Sequence, residues 1–129
     1  MEKKGLVLCD TNILIELYKN NEEIIKSLRS IGQANMAISI VTTGELLYGA
    51  LNKKELNRIK KDLAQLIPFG ISSPVSEVFT ELMIKYTLSH KLSLGDGLIA
   101  ATAIAEDLPL YTLNLKDFKF IEGLRLWGI

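Results

Sequence analysis

The chain alternates short, wholly apolar runs with longer stretches in which apolar residues return every three or four positions. An apolar run of about four to eight residues suits a buried strand, and a period near 3.6 suits a helix packed on one face. On that basis "LVLCD" predicts a first strand over 6–10, and "NILIELY" a helix with Ile13, Leu14, Leu17 and Tyr18 on one side. A second short helix is expected over 22–31, stopped by Gly32. "MAISIV" reads as another buried strand over 36–41, with helix resuming near Thr43. In "KKELNRIKKDLAQL", Leu56, Ile59, Leu63 and Leu66 fall at helical spacing with lysines on the other face. "IPFGI" is a third strand candidate over 67–71. Pro74 then opens a long helix in which Val75, Val78, Phe79, Leu82, Met83 and Tyr86 keep the period. "LIAATAIA" is apolar nearly all round and predicts a deeply buried helix, "LPLYTLN" a fourth strand over 108–114, and "LRLW" a fifth over 124–127.

Strands separated by helices imply an α/β fold, with a small, mostly parallel sheet of four to five strands flanked by helices. No internal repeat, low-complexity segment or linker interrupts the pattern, so residues 1–129 read as a single domain. In open sheets of this kind the active crevice lies beyond the carboxyl ends of the strands.

Composition narrows the chemistry. Fifteen basic residues balance fifteen acidic ones, so binding to a polyanion must rest on a local patch or on a metal. One cysteine, Cys9, excludes an internal disulfide framework and a multi-cysteine zinc site; inside its apolar run it reads as a small buried hydrophobe. The lone His90 cannot build a histidine zinc site and reads as a helix-end surface residue. No apolar run approaches the roughly 18 residues of a membrane span. "MEKKG" leads straight into a strand-like run, which is not a signal peptide. A soluble, cytoplasmic protein is expected.

Most acids sit among polar residues, but Asp10 follows "LVLC", Glu45 sits in "ISIVTTGELLYGA" and Asp96 in "LSLGDGLIAATA". Asp117 closely follows the fourth strand, with Asn114 three residues before it. Singly, each suits a helix N-terminus. Thr42 and Glu45 match an S/T-x-x-E capping box, and Ser93 with Asp96 a weaker version of it. Together they suggest more. Asp10 and Asp117 lie just past strand ends and Glu45 a few residues past another. Asp96 opens the buried helix that returns from the carboxyl edge. A parallel sheet would bring all four into one crevice. Two like charges ~4 Å apart repel by about 4 kcal/mol at an effective dielectric of ~20. No Lys or Arg adjoins Asp10, Glu45 or Asp96 in sequence. A divalent cation is the economical partner, and oxygen ligands without His or Cys suit Mg²⁺ or Mn²⁺.

The same residues carry a resemblance. "LCDTNILIELY" resembles the opening motif of PIN-domain nucleases, and "ISIVTTGELLYGA" is similar to the segment around that family's second acid. "LSLGDGLIAATAIAEDLPLYTLNLKDFKFIEGLRL" resembles the third acid and the closing T-x-N-x-x-D-F region. Order and spacing match over essentially the whole chain. The length and the "LPLYTLNLKDF" wording look most like VapC-type toxins of bacterial toxin–antitoxin pairs. The resemblance implies a three-layer α/β/α fold and a ribonuclease dependent on Mg²⁺ or Mn²⁺, leaving a 5′-phosphate and a 3′-hydroxyl. It implies Asp10, Glu45 and Asp96 as metal-binding acids, and a fourth position at Asp117, with Asn114 in support. Thr11 and Asn12 match residues that brace the first acid, and Thr112 is placed to do likewise; plain turn or cap roles suit all three as well. An RNA substrate, a homodimer and a cognate antitoxin that blocks the crevice follow from the same resemblance.

For flanking phosphates the densest basic run is "NKKELNRIKK", with Lys53, Lys54, Arg58, Lys60 and Lys61, which equally suits a solvated helix face. The helix surfaces around 13–18 and 75–86 are interface candidates, although core packing also accounts for them. Two rival readings remain. One is a Mg²⁺-dependent phosphatase or phosphotransfer domain, against which Asn12 stands where the phosphatase pattern wants a second Asp. The other is a housekeeping nuclease, or an inactive RNA-binding module, of the same fold.

Overall fold

The computed structural model describes residues 5–129. The expectation that the first few residues run directly into a strand therefore lies outside the described residues for 1–4. Four strands, β1 (Val7–Cys9), β2 (Met36–Ser39), β3 (Ile67–Phe69) and β4 (Leu110–Tyr111), form one sheet in the order β3-β2-β1-β4. Every pairing in it is parallel. Two helices, α1 (Thr11–Tyr18) and α2 (Glu22–Ile31), connect β1 to β2. Another pair, α3 (Ile40–Tyr48) and α4 (Lys53–Leu63), connects β2 to β3; α5 (Ser73–His90) and α6 (Leu94–Ala105) connect β3 to β4.

The alternation of side chains along a strand divides the core in two. Leu8, Ala37 and Leu110 face one layer, with Val75, Leu82 and Tyr86 of α5 and the small residues of α6. Val7, Cys9, Met36, Ile38 and Tyr111 face the other, with Ile13 and Leu14 of α1, Ile24 and Leu28 of α2, Leu46 of α3 and Ile59 of α4. Both faces of the inner strands are covered, which is why those strands are apolar throughout. The result is the expected three-layer α/β/α arrangement. Among the described residues no helix is long and apolar enough to cross a membrane.

The sheet is shorter than the apolar runs suggest. Strand 36–41 ends at Ser39, and helix resumes at Ile40 rather than near Thr43. The Ser39 side chain accepts from the Thr42 backbone N–H at 3.3 Å and caps α3, and Val41 packs against the α5–α6 core from within the helix. The cap outweighs the strand preference of Ile40 and Val41. Strand 67–71 closes at Phe69, and strand 108–114 is only Leu110–Tyr111. The fifth strand is reduced to one parallel bridge between Leu110 and Leu126, made by Leu110 N–H to Arg125 O (2.9 Å) and Trp127 N–H to Leu110 O (2.8 Å). His90 does end α5 in an exposed position, where its ring stacks on Phe120 with centroids 3.9 Å apart.

Small residues let α6 lie close to both the sheet and α5. Gly97, Ala100, Ala101 and Ala103 are all buried. A Cβ at Gly97 would stand 3.0 Å from Met83 Sδ and 3.1 Å from a Phe79 ring carbon. Since α6 carries Asp96 one residue earlier, this contact also sets where that acid stands. Gly97→Val is expected to lower the unfolding free energy by about 1–3 kcal/mol through overpacking, measured by urea denaturation. Adding Met83→Ala should recover part of the loss, and no recovery would mean that the cost arises elsewhere.

Candidate active site

Asp10 is the residue at which β1 ends and α1 begins. Its backbone N–H still joins the sheet, donating to Tyr111 O at 2.9 Å, while its side chain caps the helix. The carboxylate is only 5% exposed. Three donors hold it. The Thr11 N–H donates to Oδ1 at 2.8 Å, the Thr112 hydroxyl to Oδ2 at 2.8 Å, and the Asn12 amide to Oδ2 at 3.3 Å. The outer residues are fixed in turn, since Asn12 Oδ1 accepts from the Leu113 N–H at 3.3 Å and Thr112 Oγ1 from the Asn114 N–H at 3.0 Å. Burial pushes the Asp10 carboxyl above its ordinary value; the Thr112, Thr11 and Asn12 hydrogen bonds pull it back, and the Glu45 charge adds to the rise. Cys9, buried beside it, is pushed up to about 12 by desolvation first and by Asp10 second. That thiol is no nucleophile, as its place in the apolar run suggests.

Glu45 lies in the second turn of α3, exposed, and its Oε1 accepts from the Thr11 hydroxyl at 2.6 Å. The capping-box reading of Thr42 and Glu45 fails, because the helix starts earlier and Ser39 is its cap. The Ser93 and Asp96 version holds in its first half: Ser93 is the cap of α6, and its Oγ accepts from the Asp96 N–H at 3.1 Å. Burial raises the Asp96 carboxyl first, then the charges of Asp10 and Asp117; the Ser93 hydroxyl opposes the rise and Glu45 adds to it. Asp96 thus stands close enough to the other three acids at the carboxyl edge of the sheet for their charges to act on it.

Three of the four acids share a cavity of about 380 Å³. Asp10, Glu45 and Asp96 line it together with Thr11, Asn12, Ser93 and Asn114, and Ile15 and Ile99 supply apolar wall. Among the described residues neither Lys nor Arg lines it. Asp117, in the short 3-10 turn Leu115–Asp117, is not on the lining, whereas Asn114 is. The expected convergence of four carboxylates is thus three around a cavity with the fourth beside it. Among the described residues no three His, Cys, Asp or Glu side chains stand ready to hold one ion, so the acids do not form a closed cage. The donor chemistry nonetheless fits a hydrated hard cation. Mg²⁺ keeps several waters and reaches protein through one or two carboxylates, and carboxylates raised by burial and then by neighbouring charge gain from such a cation.

A second concavity, about 430 Å³, lies behind α1, with Leu14 and Leu17 facing Leu28 of α2, Leu46 of α3 and Leu63 of α4. At its rim the Tyr18 hydroxyl donates to Asp62 Oδ2 at 3.0 Å, and the Arg58 guanidinium lies 5.2 Å from the Tyr18 ring centroid. This sets Arg58 of the basic run beside Tyr18, while the arginine on the groove's own lining is Arg29. The lysines of that run, Lys53, Lys54, Lys60 and Lys61, are exposed on α4.

The raised carboxyls have a consequence for stability. A group whose folded value exceeds its unfolded one binds more protons when folded. Its contribution therefore falls as pH rises through the window from the ordinary value of 3.8 to the raised one, and the penalty is complete above that window. In EDTA, Asp96→Asn is expected to gain most over the unmodified chain at neutral pH and to lose that advantage as pH falls towards 3.8. Urea denaturation at a series of pH values measures it. A difference independent of pH would show that the Asp96 charge is not what strains the fold.

Residues 7–122, which include all four acids, match the family model described as the PIN domain. The chain is 38% identical over 134 residues to Ribonuclease VapC1 of Rickettsia felis, covering 95% of this chain and 94% of that protein. It is 32% identical to Ribonuclease VapC10 of Mycobacterium tuberculosis, with 93% and 91% covered. Among solved structures, a toxin–antitoxin complex from Klebsiella pneumoniae is similar with a TM-score of 0.78 at 35% identity, over 92% of this chain and 94% of that one. With its fold and its sequence in agreement along almost their full length, the chain belongs to the PIN-domain family, and within it to the VapC group.

Proposed function

We propose that the protein is a metal-dependent endoribonuclease and the toxin of a toxin–antitoxin pair. The observation that carries the activity is the cavity itself, where three acids from three separate elements meet with no basic side chain on the lining among the described residues. Asp10, Glu45 and Asp96 would hold Mg²⁺ or Mn²⁺, with Asp117 adding negative charge behind Asp96 and Asn114 offering a neutral oxygen at the rim. Bound there, the metal supplies an acidified water and neutralises charge on the phosphate under attack.

The chain's own residues do the rest. Asp10, pinned by Thr11, Asn12 and Thr112, is the rigid element against which the other ligands are set. Glu45, exposed at the mouth, is placed to orient the attacking water and accept its proton; no histidine lines the cavity. Cleavage at the bond to the ribose 3′ oxygen leaves a 5′-phosphate and a 3′-hydroxyl. Single-stranded or looped RNA suits a cavity this narrow, and the exposed lysines of α4 serve flanking phosphates. Asn12 counts against the phosphatase alternative, because both ends of its amide are committed to bracing Asp10 and the Leu113 backbone.

The partner proposal rests on the second concavity. Its apolar lining suits a hydrophobic segment of an antitoxin, as the named toxin–antitoxin complex suggests. One helix, α1, separates this groove from the acids. A chain seated in the groove can therefore reach over α1 and place a basic side chain among the carboxylates. Self-association is proposed to use the exposed apolar residues Ile84 (79% exposed) and Leu88 (89%), one turn apart on α5.

With Mg²⁺ or Mn²⁺ the pure protein is expected to cleave mixed-sequence RNA. EDTA should abolish cleavage, and Asp10→Asn should lower the rate by more than the roughly 10–100-fold that follows loss of a metal ligand's supporting partner. Cleavage that survives EDTA would refute metal dependence. Absence of both cleavage and Mg²⁺ binding by calorimetry would favour the inactive module. For self-association, Leu88→Glu is expected to shift sedimentation from dimer to monomer without loss of helix content. An unmodified chain that sediments as a monomer would rule the dimer out.

A further inference from the structure

We infer that Thr42, buried behind the cavity and absent from its lining, is a positioning residue for Glu45 that acts through Thr11. The inference rests on the metal-dependent reading above. Thr42 is the third residue of α3 and is fully buried, at 0% exposure. The hydroxyls of other helical threonines, Thr80, Thr87 and Thr102, turn back onto a carbonyl of their own helix. That of Thr42 instead lies 3.0 Å from Thr11 Oγ1, across the gap to α1.

Counting protons orders this contact. Glu45 is a carboxylate and has no proton to give, so at 2.6 Å it is Thr11 that donates to Oε1. The Thr11 hydroxyl has only that one proton. Its 3.0 Å contact with Thr42 is therefore filled by the Thr42 proton, directed onto a Thr11 lone pair. The chain runs one way, from Thr42 to Thr11 to Glu45, and each bond polarises the next. It also joins the first two acids, because the Thr11 N–H donates to Asp10 Oδ1 at 2.8 Å while its hydroxyl holds Glu45. Glu45 is exposed and has three side-chain torsions; a fixed Thr11 rotamer gives it a preferred place beside Asp10. Thr42 fixes that rotamer from the side that solvent does not reach.

The test is Mn²⁺ binding to the EDTA-stripped full chain by calorimetry, which needs no turnover. Thr42→Val keeps the shape and removes the proton, and is expected to weaken Mn²⁺ binding about tenfold, within the range seen for partners of metal ligands. Thr42→Ser keeps the proton and should bind like the unmodified chain. In a Thr11→Val background the relay is already cut, so adding Thr42→Val should change the affinity little. Should Thr42→Val not fold by circular dichroism, Thr42→Ala takes its place in the same cycle. Unchanged Mn²⁺ affinity in the Thr42 variant, or full additivity with Thr11→Val, would overturn the positioning role and leave the metal reading standing. An unmodified chain that binds no Mn²⁺ would overturn both.

Discussion

The hydrogen bond from the Thr112 hydroxyl to Asp10 joins the ends of the two strands between which the sheet changes direction. An ionised carboxylate buried without partners is so costly that it neutralises instead. Here the cost is met by the Thr11 N–H, the Thr112 hydroxyl and the Asn12 amide, and hydrogen bonds to a charged group are each worth about 1.5–3 kcal/mol. Even so, the carboxyl stays raised, so desolvation together with Glu45 outweighs all three donors. The fold thus fixes the carboxylate with a donor on each oxygen, and burial still disfavours its charge.

The strand order explains why this happens at Asp10 and not at another strand end. With β3-β2-β1-β4, the chain moves outward from β1 through β2 to β3, then returns across the opposite face to β4 on the other side of β1. The segments leaving β1 and β4 consequently part from each other, and a crevice opens between them. Asp10 and Thr112 are the residues that immediately follow those two strands. The layer of α1 and α3 brings Thr11 and Glu45 to the crevice, and the layer of α5 and α6 brings Asp96. A helix of larger side chains in place of α6 would stand further from the sheet and carry Asp96 away. The glycine and alanine content of α6 is thus a property of the site as much as of the core.

Much of this could be read from the residues, for reasons that differ from element to element. The six α-helices were legible, since each buries one face or, for α6, nearly all of its surface; the short 3-10 turns at Gln33–Asn35 and Leu115–Asp117 were not. Strand ends were less legible. "MAISIV" contains six residues suited to a strand, but Ser39 offers a cap and the chain turns into helix two residues before the apolar run ends. "LPLYTLN" misleads in the same way: Thr112 and Asn114 have the alternation of a strand, yet the Thr112 hydroxyl braces Asp10 and accepts from the Asn114 backbone N–H in the turn after it. The acids stood out because they interrupt apolar sequence, and a charge in such a place needs a reason. Thr42 stood out only as half of a capping box with Glu45, a role that Ser39 takes instead. A buried threonine resembles a buried valine in any hydropathy pattern, and only its neighbour across the gap, thirty-one positions away, reveals what the hydroxyl does.

Helix α1 shows how much constraint a short segment can carry. Ile13 is wholly buried on the sheet. Thr11 and Ile15, one turn apart, face the acid cavity, while Leu14, Leu17 and Tyr18 face the apolar groove. No side of this helix is left to be only a solvated surface, so its sequence lacks the polar stripe that an ordinary surface helix shows. The cavity and the groove share a single wall one helix thick, about 10 Å across with side chains. That is longer than one extended Lys or Arg side chain, so a segment lying in the groove would have to carry its backbone over α1 to bring a basic residue to the acids. On the proposed reading, the absence of basic side chains that suits the cavity to a metal would suit it equally to a basic side chain brought over α1.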